Sequence, residues 1–267
     1  MKRVVVAPLN WGLGHATRCI PMINALIKAQ FSPVIASDGA AFQFLKKEFP
    51  KLQRLELPSY RISYGKHLKV DLVKNLPRFL RVMKEEHQVI QKYIKANEVV
   101  GIISDNRFGV YSKHIPSVYI THQLNVKAGV LTPFTSYFHQ RVLKKFDECW
   151  IPDEEESQFS GELSLSEKSL NQKYIGIQSR LQKQNLEKTI DILILLSGPE
   201  PNRTELEEKL RVKFQNSNFN ICLIQGKIEA QQKIETHGNL TVINFALTNE
   251  LEQYLNKAQL VVCRSGY

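Results

Sequence analysis

The side chains best suited to acid–base or anion chemistry sit in three short stretches, each directly after an apolar run. The first reads Val4-Val5-Val6-Ala7-Pro8-Leu9-Asn10-Trp11-Gly12-Leu13-Gly14-His15-Ala16-Thr17-Arg18-Cys19. Gly12 and Gly14 permit a tight turn and a close backbone approach that a Cβ would block. A helix starting after such a loop presents free N–H groups and its positive dipole end to an anion. His15 then falls at the lip of the crevice beyond the strand's carboxyl end, with Asn10 and Arg18 beside it. An imidazole titrates near neutral pH, so His15 is the candidate general base.

The second stretch is Ser104-Asp105-Asn106-Arg107, and the third is Leu195-Leu196-Ser197-Gly198-Pro199-Glu200-Pro201-Asn202-Arg203. Polar side chains after a buried strand emerge at one sheet edge, so Asp105, Asn106 and Arg107 are expected to line a pocket there. Ser197 and Gly198 repeat the pattern of strand, small-residue loop and helix. There the helix start at Thr204–Glu205 offers amides to a diphosphate, and Arg203 adds charge.

These loops need strands and helices to aim them. Strands are expected at Val4–Pro8, Pro33–Ser37, Leu52–Leu57, Val99–Ser104, Val118–Thr121 and Cys149–Pro152. A second series runs Tyr174–Ile177, Ile190–Leu196, Ile221–Gln225, Val242–Phe245 and Leu260–Cys263. Several are continuously apolar, as parallel strands covered on both faces are. Helices are expected at Ile20–Ala29, Leu72–Ala96, Glu205–Phe214 and Thr248–Lys257, with Pro21 in or near a first turn. The alternation predicts an α/β chain of two Rossmann-like, doubly wound domains. The polar segment Gln158–Gln172 suggests domains of 1–170 and 171–267, and Gln178–Lys188 is the alternative hinge. No covering helix follows Leu260–Cys263, so the second domain is expected to be incomplete.

A dinucleotide-binding domain is a competing reading of the first loop, with Asp38 at the end of the second strand. Its fingerprint needs glycine where this chain has Thr17. Gly-x-Gly-His with an arginine three residues on resembles instead the first loop of GT-B glycosyltransferases. In form it is close to the Gly-His-x-x-Arg-Cys segment of the nucleotide-sugar hydrolases of nonulosonic acid synthesis. It also resembles the glycine-rich loop ending in His of the peptidoglycan N-acetylglucosaminyltransferase group of family 28. Ile120-Thr121-His122-Gln123-Leu124-Asn125 is similar to that group's His-Glu-Gln-Asn motif. His122 and Asn125 match, whereas Gln123 and Leu124 depart. A helical Ala128–Asp147 then follows in the family's order. Val261-Val262-Cys263-Arg264-Ser265-Gly266-Tyr267 resembles the start of the donor-binding motif, so Arg264, Ser265 and Gly266 join Ser197, Gly198 and Arg203 on the donor side.

The resemblance implies inverting, metal-independent transfer from a nucleotide-diphosphate sugar, UDP-linked by the same resemblance, to an acceptor hydroxyl. The first domain holds the acceptor beside Asn10, Gly12, Gly14, His15, Arg18, Asp105, Asn106, Arg107, His122 and Asn125. No cofactor is implied beyond the donor substrate. Two alternatives stay open: hydrolysis of the same donor by water, and a silent binding module.

Composition narrows the partners. The 267 residues carry 36 Lys and Arg against 26 Asp and Glu, a net charge of +10. Residues 1–170 hold 24 of those basic residues and 16 of the acidic ones, so the excess lies in the first domain. No nucleic-acid module accompanies it, so nucleic acid is not an expected partner. From Arg61 to Lys95, nine Lys or Arg interleave with apolar residues against three acidic ones. Such a stretch suits an anionic membrane surface and a lipid-linked acceptor, or else a solvated helix face. No apolar run approaches the roughly 20 residues of a membrane span. Cys19, Cys149, Cys222 and Cys263 lack close pairing, which fits reduced thiols in the cytoplasm.

Overall fold

The computed structural model describes residues 2–60, 68–124, 139–155, 159, 161, 170–198 and 200–264, with backbone alone at 68–75. It divides into two compact units, Met1–Asn10 with His15–Ser179, and Trp11–Gly14 with Arg180–Tyr267.

The first unit is built on seven strands: β1 (Arg3–Pro8), β2 (Ser32–Ser37), β3 (Gln53–Glu56), β4 (Val99–Asp105), β5 (Ser117–Ile120), β6 (Glu148–Ile151) and β7 (Gln172–Tyr174). Their order is β3-β2-β1-β4-β5-β6-β7, and every pairing is parallel. The helices are α1 (Gly14–Lys28), α2 (Gly39–Glu48) and α3 (Leu68–Ala96). β1 is covered on both faces. Val5 and Ala7 pack with Ile90, Val89 and Tyr93 of α3, and Val4 packs with Met22 and Leu26 of α1. Two-sided burial is why these strands read as unbroken apolar runs. The chain leaves β1 toward β2 on one side and later returns to β4 on the other. The gap between β1 and β4 is therefore the switch point at which open sheets bind ligands.

The second unit has β8 (Ile190–Leu195), β9 (Ile221–Ile224), β10 (Ile234–His237), β11 (Leu240–Ile243) and β12 (Ala258–Cys263), with α4 (Asn202–Phe214) and α5 (Thr248–Lys257). The order is β10-β11-β9-β8-β12, and only β10 runs antiparallel to its neighbour. Leu206 and Leu210 of α4 cover one face, Leu251 and Leu255 of α5 the other. Here the switch point lies between β8 and β12.

Three expectations need correction. The strand placed at Tyr174–Ile177 in the second series is β7, which pairs with β6 of the first sheet. The division accordingly falls between Ser179 and Arg180, inside the Gln178–Lys188 stretch. α1 begins at Gly14 rather than Ile20, because Gly12 at φ +76° turns the chain straight into the helix. Pro21 is thus interior to α1, where it has no N–H to give the preceding turn. The helix expected at Ala128–Asp147 lies largely outside the described residues, with 139–143 helical.

Candidate functional site

The early start of α1 decides the chemistry of its first turn. His15 and Arg18 are three residues apart and so share one helix face. Parallel registry sets Pro8 opposite Asp105, and Leu9 N–H donates to the Asp105 carbonyl at 2.9 Å. The carboxylate of Asp105 thereby lies directly beneath that face, fully buried. His15 Nδ1 is 2.9 Å from Asp105 Oδ1. Arg18 grips the same carboxylate with two nitrogens, Nε donating to Oδ2 at 2.6 Å and Nη2 to Oδ1. Arg18 Nη1 donates to His122 Nδ1 at 3.3 Å, and the Cys19 thiol points at Oδ2 from 3.7 Å. His122 follows β5, which lies beside β4 in the sheet. Loops from β1, β4 and β5 thus converge on one carboxylate at the switch point.

Burial alone would raise the Asp105 carboxyl, but the charge of Arg18, then that of His15 and hydrogen bonds from both, hold it well below the usual carboxylate range. An ionised carboxylate tolerates a ring nitrogen at 2.9 Å only across a proton. A proton on His15 Nδ1 satisfies this contact, and in that tautomer the ring's lone pair lies on Nε2. Arg18 Nη2, which carries two hydrogens, is also 2.9 Å from His15 Nδ1 while it donates to Oδ1. His122 is lowered to about 4, by burial first and then by Arg18 and His15, so its ring is neutral at pH 7.

Arg107 is not part of this cluster. Asn106, at φ +57°, reverses the chain after Asp105 and sends Arg107 back under the strand ends. There it is fully buried. It pairs with Glu86 and donates to Asp38 at 2.6 Å, to the Pro58 carbonyl at 2.7 Å and to the Pro8 carbonyl at 3.5 Å. Glu86 also accepts from the Tyr60 hydroxyl at 2.5 Å and from Gly109 N–H at 3.1 Å. Arg107 is a structural tie between three strand ends and α3, not an acceptor contact. Asn10 is tied down too: its Oδ1 accepts from Ala41 N–H of α2 at 3.2 Å and its Nδ2 donates to Asp38 at 3.3 Å. Asn106 Oδ1 accepts from the buried Tyr119 hydroxyl at 3.2 Å. Gly12 and Gly14 have open space where a Cβ would stand. The buried carboxylate of Glu86 escaped the sequence reading, although its spacing of four from Val82 and Ile90 puts it in the core stripe of α3.

In the second unit the loops after β8 and β12 meet. Arg264 Nη1 donates to the Ser197 carbonyl at 3.0 Å, and a Cβ on Gly198, which has φ +108°, would collide with that guanidinium. Arg203, expected to face a diphosphate, is buried and already paired. It donates to Glu200 at 2.8 and 2.6 Å and to Glu207 at 2.7 Å. Glu200 in turn accepts from Thr204 N–H at 3.2 Å and from its hydroxyl at 2.7 Å, so the start of α4 carries its own anion. Asn125, Ser265 and Gly266 lie outside the described residues. Among the described residues no cluster of three or more His, Cys, Asp or Glu is placed to hold a metal ion.

No protein-family model matches the chain, and no curated protein does. Solved structures do. The spinosyn rhamnosyltransferase SpnG complexed with thymidine diphosphate superposes with a TM-score of 0.59 at 13% identity, over 98% of this chain and 75% of its own. A putative UDP-N-acetylglucosamine 2-epimerase of Listeria monocytogenes gives 0.56 at 13%, over 100% and 75%. MurG of Acinetobacter baumannii gives 0.50 at 11%, over 100% and 74%. At such identities the likeness speaks for the fold. Two α/β units, each with its loops gathered at a switch point, give this chain the GT-B architecture of the nucleotide-sugar glycosyltransferases.

Proposed function

We propose that this protein transfers a sugar from a nucleoside-diphosphate sugar to an acceptor hydroxyl, with inversion and without a metal. The acceptor O–H gives its proton to His15 Nε2 as its oxygen attacks the anomeric carbon. The carbon–oxygen bond to the diphosphate breaks, and the nucleoside diphosphate leaves with the bonding pair. Ser197, Gly198 and Arg264 are the described donor-side groups, and cationic and amide donors suffice to stabilise the departing charge. Arg203 is not assigned to this role, because its charge is matched by Glu200 and Glu207.

One observation supports the reading: His15 Nδ1 lies 2.9 Å from the buried Asp105 carboxylate, a contact that would orient the ring and, with the proton on Nδ1, leave Nε2 as the base. The fold supports the donor class, since one similar structure is of a Phytolacca americana UGT2 with UDP-2-fluoro-glucose and another holds thymidine diphosphate. Uridine is the base to test first. The exposed Arg78, Arg81, Lys84, Lys92 and Lys95 on α3 support peripheral attachment to an anionic membrane on the cytoplasmic side, and a lipid-linked acceptor.

The test is release of nucleoside diphosphate from UDP- and TDP-sugars, with and without candidate acceptors. Acceptor-dependent release is expected. Free sugar formed equally fast without acceptor would make the protein a hydrolase, and failure of every donor to bind would remove the catalytic reading.

A further inference from the structure

We infer that Arg18 is a positioning residue that cancels the charge of Asp105, so that His15 is oriented by the carboxylate without being locked in its protonated form. The inference rests on the proposal that His15 is the base, and it adds a group that neither accepts nor donates the transferred proton.

Asp105 is fully buried. An uncompensated buried carboxylate 2.9 Å from an imidazole favours the imidazolium. A base that already holds its proton cannot take one from an acceptor. Arg18 removes that penalty by placing a full positive charge on the same carboxylate through Nε and Nη2, in the bidentate geometry that a guanidinium fork allows. The pair is neutral in sum, yet Oδ1 still accepts from His15 Nδ1. The third guanidinium nitrogen reaches His122, whose Nδ1 accepts from Nη1 at 3.3 Å. Because Arg18 cannot give up its proton, that contact places the neutral His122 proton on Nε2. The same guanidinium thus touches both rings, with Nη2 at 2.9 Å from His15 Nδ1 and Nη1 at 3.3 Å from His122 Nδ1.

The other ionisable groups facing the cluster do not supply this charge. Cys19 on α1 and Tyr119 on β5 are buried neutral groups, their ionisation pushed well up by burial. Asp153, after β6, acts on His122 with a negative sign. Among the described residues, Arg18 is the arginine or lysine bonded to the Asp105 carboxylate.

Nitrogen-15 spectra of the imidazole rings in the intact chain test the inference without any turnover. At pH 7 the wild-type protein should show His15 protonated on Nδ1 and His122 on Nε2; the reverse pattern on His15 overturns the inference. Arg18→Gln keeps hydrogen-bond donors and loses the charge. In that variant the His122 titration should rise from about 4 toward the ordinary imidazole range. The acid limb of kcat/KM should move up by about one pH unit or more, the size expected of one neighbouring charge. Arg18→Lys, which keeps the charge if the glutamine variant does not fold, should leave that limb within roughly a few tenths of a pH unit of wild type. An unmoved acid limb in a folded Arg18→Gln protein overturns the inference. A His15→Ala protein with normal turnover would instead remove the base assignment on which it rests.

Discussion

Replacing Arg107 with methionine is the sharpest test of the first unit's architecture. The guanidinium has no exposed surface, and it serves two carboxylates that are themselves buried, Glu86 at 0% and Asp38 at 4% exposure. Methionine fills much of the same volume but leaves both carboxylates without their cation. Breaking a buried pair from one side costs about 3–5 kcal/mol. For a unit of this size each kcal/mol shifts Tm by about 2–4 °C, so a drop of roughly 6–20 °C is expected. The pH dependence carries a further signature. Even beside Arg107, burial pushes the Glu86 carboxyl above its ordinary value. A carboxyl raised on folding contributes stability that is present below its unfolded value and lost as pH rises through its folded value. Without Arg107 that folded value climbs further, so the deficit should be largest near pH 7.5 and shrink toward pH 5. Adding Glu86→Gln to Arg107→Met should restore part of the loss. Thermal unfolding followed by circular dichroism at the two pH values measures all of this. A loss below about 1 kcal/mol, the scale of a surface pair, or an equal loss at both pH values would refute the reasoning.

Other outcomes follow from the same contacts. Gly109→Ala places a Cβ against the Met83 carbonyl and the Glu86 side chain, so it should destabilise by about 1–3 kcal/mol in urea titration, the usual cost of overpacking. Asp105, held low in the folded protein, contributes stability that is present above the ordinary carboxylate range and lost as pH falls through its folded value. The acid unfolding curve of Asp105→Asn should accordingly be flatter below pH 4 than that of wild type. Reversing Arg78, Arg81 and Lys84 to glutamate should abolish co-sedimentation with phosphatidylserine vesicles at low salt, at about 1 kcal/mol per charge, with Tm unchanged. Equal binding by the reversed protein would sink membrane attachment through α3.

The strands were legible because burial on both faces writes itself as an apolar run: β1, β2 and β8 read directly. β10 was not, since all four of its residues are exposed and Lys233–His237 carries no apolar period. The site was half legible. His15, Arg18, Asp105 and His122 converge because adjacent parallel strands deliver their loops to one edge. Arg107 misled because a residue type at a strand end does not reveal which way the next turn goes, and the left-handed backbone of Asn106 decides it. Arg203 misled for a different reason, because its partners Glu200 and Glu207 sit one helical turn away on either side and claim its charge. Glu86 stood in a run of charged residues that reads as solvated, and only its helical phase hinted at burial.

The central claim is that His15 and Asp105 act as one unit in removing the acceptor's proton. A double-mutant cycle on kcat for transfer from a UDP-sugar, using His15→Ala, Asp105→Asn and both together, tests it directly. Each single change should lower kcat by about 10²–10⁴, the usual contribution of a general base, and the double change should be no worse than the poorer single. Additive losses, or a His15→Ala protein within about threefold of wild type when a base is worth at least 10², would contradict the account.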